Sequence, residues 1–226
     1  MVSVPRLFSA DMEGIDAHLV EVEADLNVGL HSFSIVGLAD KAVGEAKERV
    51  NSALKHCGIK PPSKENRKIT INLAPANVKK TGSRFDLPIA LAYLLASEQM
   101  APFSGEDKIF LGELALDGTI RPVSGCLNAA ILAEKTGARF IFTPKENAEE
   151  AALARDVTVI PVGHLRETVA HLEGRGGIAP QKPTPFLPSY PKGGVRIHDI
   201  KGQGAAKRAL LVAAAGGHHL LFSGSP

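Results

Sequence analysis

The sequence predicts a layered α/β domain on a mixed sheet, then a Pro/Gly-rich connection and a second, shorter piece. Three observations carry this. The first is Ile69–Ala96, ITINLAPANVKKTGSRFDLPIALAYLLA. Here Ile69, Ile71 and Leu73 alternate with Thr70 and Asn72 at the period of a strand. A polar loop of Lys79, Lys80, Thr81, Gly82, Ser83 and Arg84 follows, and then a stretch from Leu87 too apolar for a solvated helix. The second observation is that strand-like and helix-like segments interleave as far as about residue 172, the pattern of an α/β layer. The third is the change at Gly174, after which five prolines and five glycines fall within Gly174–Gly194.

In chain order, Val2–Phe8, Ala17–Asn27 and Phe33–Leu38 read as strands, and this early run makes the sheet mixed rather than purely parallel. From Lys41 to Cys57, Val43, Ala46, Val50, Ala53 and Leu54 recur at helical spacing, with Asp40 as N-cap and Gly58 as stop. Lys41, Lys47, Arg49 and Lys55 form the solvated face of that helix, diluted by Glu45 and Glu48. Pro61 to Lys68 is a polar connection into the central strand. Asp86 is positioned to cap the core helix, and Pro88 falls in its first turn, where a missing N–H costs nothing. Lys108–Leu111 is a short strand, and Asp117-Gly118 marks a hairpin within Glu113–Val123. Ser124–Glu134 is helical, Phe140–Thr143 a strand, Asn147–Ala154 a helix, Val157–Pro161 a strand and Leu165–Leu172 a helix. The organisation is therefore a domain over 1–173, a Pro/Gly linker or wrapping segment over 174–194 and a second piece over 195–226. In that piece Ala206, Ala209, Leu210 and Ala213 share a helix face, and His218–Phe222 reads as an apolar strand ending in Ser223-Gly224-Ser225-Pro226.

The totals bound the function. A net charge of +2 gives no global argument for nucleic acid, so any basic surface is local. An aromatic content of 5% without tryptophan argues against a stacking platform for single strands. Cys57 and Cys126 lie far apart without metal spacing and read as reduced core thiols of a cytoplasmic protein. No metal site is expected: His218 and His219 adjoin on a strand and point to opposite faces. Acidic residues enter at Asp11 and Glu13 before any long apolar run, so no signal peptide is expected, and nothing approaches the roughly 20 apolar residues of a membrane span.

A strand followed by Gly-Ser-Pro is how a phosphate-binding loop begins, before a Gly-x-Gly-Lys-Ser/Thr that cradles phosphates on backbone N–H groups. Only the first three residues of such a loop are present. The preceding segment, DIKGQGAAKRALLVAAAGGHHLLFSGSP, closely resembles the Mg-chelatase-like branch of the AAA+ ATPases, in particular the YifB/ComM family. The motifs are an Asp-x-x-Gly-Gln turn (Asp199, Gly202, Gln203), an Ala-Lys-Arg-Ala-Leu helix over 206–210 and Gly216-Gly217-His218. GLHSFSIVGLADKAVGEAKERV, the Ile69–Ala96 stretch and FLGELALDGTIRPVSG extend the resemblance over essentially the whole chain. It implies an N-terminal domain of Lon-protease-like fold and the entry to an AAA+ module. It further implies ATP and Mg2+ as cofactors of the full-length protein, and hexameric assembly. The work implied is on DNA, with branch migration in natural transformation as the family's role. Asp199, Gly202 and Gln203 would lie near the adenine, and Gly224, Ser225 and Pro226 would open the phosphate loop. The 226 residues contain no Gly-x-Gly-Lys-Ser/Thr, so this stretch by itself is expected to be non-catalytic, with no bound cofactor.

The departure from the Lon pattern matters as much. Lon-type proteases place a serine in Gly-Pro-Ser-Ala-Gly and activate it with a lysine in Gly-Gly-Leu-Lys. Aligning the loop at Gly82 puts Ser83 at the proline and Arg84 at the nucleophile, while aligning Pro122–Gly125 puts Leu127 at the lysine. Arginine is neither a base at neutral pH nor a nucleophile, so no catalytic residue is assigned. Ser83 reads as a turn or cap residue. Lys79, Lys80 and Arg84 form either a solvated loop or a contact to a phosphate backbone, with Gly82 letting the main chain approach. Other readings are a Lon-like peptidase, a magnesium-chelatase subunit acting on a porphyrin, and a DNA- or protein-docking module.

Overall fold

The computed structural model describes residues 4–64, 66–186 and 194–224. The chain divides into two compact units, Met1–Phe186 and Leu187–Pro226, each described by itself.

The first unit opens with β1 (Arg6–Glu13) and β2 (Asp16–Val28), then β3 (Ser32–Val36), α1 (Lys41–Gly44), α2 (Ala46–His56) and β4 (Arg67–Ala74). There follow α3 (Asp86–Ala96), β5 (Lys108–Phe110), β6 (Glu113–Leu114) and β7 (Ile120–Arg121). The unit closes with α4 (Cys126–Thr136), β8 (Phe140–Pro144), α5 (Ala148–Ala151), β9 (Thr158–Val162) and α6 (Leu165–Leu172). Seven strands form one sheet in the order β3-β4-β2-β1-β5-β8-β9, while β6 and β7 pair separately. Only β2 runs against its neighbours; every other pairing in the large sheet is parallel. The mixed α/β fold agrees with the sequence.

The period of two sorts side chains onto two faces. Leu7, Val20, Val22, Ile69, Ile71 and Leu73 join α2, α3 and α6 in the larger core. Ala10, Ile109, Leu111, Ile141 and Val159 meet α4 and α5 on the other side. In α3 every residue from Asp86 to Leu94 is buried, as its unbroken apolarity requires. Small residues line the sheet-facing side of α4, Cys126, Ala129, Ala130 and Ala133, which lets this helix approach closely.

Several expectations need correction. The first strand starts at Arg6 rather than Val2 and continues to Glu13, because it pairs antiparallel with β2 from Arg6↔Glu23 to Glu13↔Asp16. Asp11 and Glu13 had disguised its apolar pattern. The helix over 41–57 is two, divided at Glu45. Of the linker or wrapping segment, the part through Phe186 wraps onto the first unit: the Gln181 N–H donates to the Val159 carbonyl of β9 at 2.8 Å and the Thr184 N–H to the Ala152 carbonyl after α5 at 2.9 Å.

In the second unit a short 3-10 turn, Ile197–Asp199, leads through Gln203 (φ +55°) into α7 (Gly204–Gly216). Gly217 ends the helix in the left-handed region, its N–H reaching the Ala213 and Ala214 carbonyls. His218–Phe222 is not a strand: a strand exists only with a hydrogen-bonded partner, and the described residues of this unit supply none.

Candidate functional site

The loop after β4 is not the solvated loop its composition suggests. Ala39 and Lys80 form a parallel bridge, with Lys80 N–H donating to Leu38 at 3.1 Å and Asp40 N–H to Lys80 at 3.0 Å. This pairing turns Lys80 inward. It is fully buried, its Nζ donates to the Pro75 carbonyl, and burial lowers its pKa against the pull of Asp11. Arg84 is 8% exposed; its Nε lies 3.8 Å from Asp11 Oδ1, and its Nη1 meets no hydrogen-bond partner among the described residues.

Two carboxylates hold the loop. Asp11, itself 2% exposed, accepts from Thr81 N–H at 2.9 Å and from Thr81 Oγ1 at 3.3 Å. Asp40 caps α1 by accepting from Val43 N–H at 2.7 Å, and also accepts from Gly82 N–H at 3.2 Å. Gly82 sits at φ +80°, a conformation that suits glycine. The expected three-cation phosphate contact is therefore not assembled. Of Lys79, Lys80 and Arg84, Lys79 alone is exposed.

A second buried pair lies one turn on. Asp86 does not cap α3; its carboxylate is fully buried and takes two bonds from Arg49, at 2.6 and 2.9 Å, plus Leu114 N–H at 3.1 Å. Arg49 is thus not part of a solvated face. Burial pushes the Asp86 carboxyl up, the guanidinium opposes this, and Asp86 in turn holds Arg49 charged. Ser83 Oγ donates to Glu113, whose other oxygen lies 3.4 Å from Arg121 Nη1. Glu113 thus has a partner on each oxygen. Neither amine nor imidazole joins Ser83 among the described residues, so this pair lacks the base of a serine peptidase.

The two dyad-equivalent positions come to one neighbourhood. A Cβ on Gly125, the N-cap of α4, would fall 2.8 Å from Met12 Cγ and Sδ, so α4 starts against the residue beside Asp11. Leu127 is half-buried in the first turn of α4, and its N–H donates to Glu150 at 3.3 Å. Between them Cys126 is fully buried. Burial and the nearby Glu150 push its thiol up to about 12, and Arg84 pulls the other way. An ion pair and an apolar side chain stand at the two positions that align with the protease dyad.

The nucleotide-type turn belongs to the second unit. Asp199 Oδ2 accepts from Arg196 N–H at 2.9 Å and Oδ1 lies 3.2 Å from His198 Nε2. The carboxylate thus shapes the turn. Gly202 and Gln203 follow at positive φ and are exposed at the start of α7. The Asp199 carboxylate is occupied with holding the turn. Among the described residues no cluster suits a metal ion. Gly224 is exposed, and Ser225 and Pro226 lie outside the described residues.

Sequence reasoning singled out neither Asp11 as an anchor nor the Arg49–Asp86 pair. The partners are 73 and 37 residues apart for Asp11–Arg84 and Arg49–Asp86, far beyond any local motif. The one available signal was an aspartate between Ala10 and Met12 on a strand.

Comparison with known proteins agrees with this geometry. Residues 22–147 match the family described as subunit ChlI of Mg-chelatase, and residues 196–226 match magnesium chelatase, subunit ChlI. The chain is 40% identical over 213 residues to the uncharacterized protein YifB of Escherichia coli K12, covering 94% of this chain and 41% of that protein. It is 39% identical over 234 residues to the competence protein ComM of Haemophilus influenzae, covering 100% of this chain and 44% of that one. A Lon protease of Chloroflexus aurantiacus is 27% identical over 165 residues, covering 69% of this chain and 20% of the protease. The chain spans less than half the length of the curated relatives it matches. With a Lon-like first unit and the ChlI match running over most of it, the chain belongs to the YifB/ComM-type, Mg-chelatase-like family.

Proposed function

We propose that this chain is the N-terminal part of a Mg-chelatase-like AAA+ ATPase of the YifB/ComM type, coupling ATP hydrolysis to DNA remodelling or branch migration in natural transformation. The observation that carries the reading is the second unit. Its Asp199–Gln203 turn, left-handed at Gly202 and Gln203, opens α7 within the segment that matches the chelatase family. In this reading the backbone of Gly202 and Gln203 receives the adenine, Gly224, Ser225 and Pro226 begin the phosphate loop, and ATP arrives with Mg2+. The working form is a cytoplasmic homo-hexamer of helicase or translocase type.

The first unit is a Lon-like scaffold without protease chemistry. Arg84 paired with Asp11, and Leu127 at the lysine position, support this over a Lon-like peptidase. The porphyrin-chelatase alternative draws on the same chelatase matches, but the similarity of the first unit to a Lon protease favours the YifB/ComM-type reading. The test is nucleotide binding by a full-length relative carrying this N-terminal region, wild type against Gln203→Pro and Asp199→Ala. Loss of the turn is expected to weaken binding of a fluorescent ATP analogue at least about tenfold, or about 1.4 kcal/mol. The 226-residue chain alone is expected to show no turnover. Unchanged binding in both variants, or hydrolysis by the 226 residues, overturns the reading.

A further inference from the structure

A concentration of exposed positive charge lies not in the loop after β4 but at the opposite end of that strand. Within residues 55–68, KHCGIKPPSKENRK, stand five of the 26 basic residues and one of the 24 acidic ones. The chain's net charge of +2 therefore belongs to this segment, and the remainder is net acidic. Lys55, Lys64, Arg67 and Lys68 are exposed, and no ion pair involves them among the described residues.

The fold gathers these residues and fixes the backbone that carries them. Ser63 N–H donates to Asn51 Oδ1 at 3.0 Å, fastening the short 3-10 turn Pro62–Lys64 to α2. Lys60 N–H donates to Gln99 Oε1 at 3.1 Å, and Tyr93 OH to the Lys60 carbonyl at 3.1 Å, fastening the segment to α3. Arg67 and Lys68 pair with Val28 and Asn27 of β2, and Lys68 also with Ser32 of β3, so their side chains leave the two faces of the sheet at its end. Beside them the β2–β3 turn exposes Val28 at 97% and Leu30 at 91%. A cationic rim at this end of the sheet, without ion pairs among the described residues and with no aromatic among its cations, matches a regularly spaced polyanion read without base stacking.

We propose that the rim formed by Lys55, Lys64, Arg67 and Lys68 binds the phosphate backbone of DNA, largely independent of sequence. This rests on DNA as the partner in the functional reading above, and it moves the contact from Lys79, Lys80 and Arg84 to the other end of β4. The flanking Val28 and Leu30 pack on the sugar edge of the groove.

The experiment uses the 226-residue chain and a short mixed-sequence DNA duplex, with binding measured across a salt series. Wild type is expected to show a linear fall of log affinity with log salt. Lys64→Glu/Arg67→Glu/Lys68→Glu is expected to flatten that slope by about 2 to 3 and to cost at least about tenfold at low salt, with the unfolding midpoint unchanged. The milder Lys64→Gln/Arg67→Gln/Lys68→Gln should move the slope the same way, and Lys79→Glu should leave it within about 0.5. Wild-type slope in both triple variants, the effect following Lys79, or no binding by wild type overturns the proposal. So does charge-dependent binding to phosphatidylserine vesicles without binding to the duplex, which makes the rim a membrane contact. Because Asp199 and Gln203 are read out by nucleotide binding alone, failure here leaves the ATPase reading standing, and failure there leaves the rim standing.

Discussion

The two ends of β4 carry similar sequence chemistry and opposite physical outcomes. Beyond its C-terminal end, Lys80 and Arg84 are buried and answered by Asp11; at and before its N-terminal end, Lys64, Arg67 and Lys68 are exposed and form no ion pair among the described residues. The difference is the supply of acceptors. At the first end, Asp11, Asp40 and the Pro75 carbonyl converge on the loop from β1, from the start of α1 and from the loop itself. At the second, the strand partners are Val28, Asn27 and Ser32, which offer no charge. A cluster of cations becomes scaffold where the fold supplies carboxylates, and surface where it does not.

The largest test of this contrast is the best-shielded pair. Asp86→Ala leaves Arg49 facing an empty, buried site and is expected to cost about 3–5 kcal/mol in denaturant unfolding. Arg49→Met/Asp86→Leu should recover most of that loss, since an apolar pair fills the space without desolvated charge. A loss below about 1 kcal/mol for Asp86→Ala would show that the pair is not truly enclosed.

A smaller effect is expected at Asp11. Asp11→Ala removes the acceptor for Thr81 N–H and the counter-charge of Arg84, at about 1–3 kcal/mol. The double-mutant cycle with Arg84→Ala should give a coupling of about 0.5 kcal/mol or more. DNA binding by Arg84→Ala should match wild type, which separates the buried end of β4 from the exposed one.

The smallest effect on stability at neutral pH comes from Cys126. Its thiol is raised from 9.0 to about 12, so the folded chain keeps this proton longer than the unfolded chain. Its contribution is therefore fully present below pH 9 and is lost as pH climbs toward 12. At pH 9 the native thiolate fraction is about a thousandth, against about a half when unfolded, so alkylation should lag by two orders of magnitude or more. Rapid native alkylation at Cys126 would mean that the start of α4 opens.

Much of the fold was legible in the residues. The alternation of Ile69, Ile71 and Leu73 became the buried face of β4, Pro88 lies in the first turn of α3, and Asp117-Gly118 turns β6 into β7. Asp40 caps α1 as its position before a helical pattern demands. Less legible was the candidate site. Nothing near Lys80 or Arg84 announces Asp11, and nothing near Arg49 announces Asp86, because those contacts are made across the sheet and between helices. The family motifs showed what the Arg84 and Leu127 positions had lost; only coordinates show what fills them.

The sequence by itself determined most of the local elements and the residues that stand at the dyad-equivalent positions, because periodicity, caps and motifs are encoded within a few residues of where they act. Tertiary structure decided which charges are spent inside and which are left to meet a partner. Burial and pairing depend on residues brought together from distant parts of the chain, and an ion's solvation is set by all its neighbours at once.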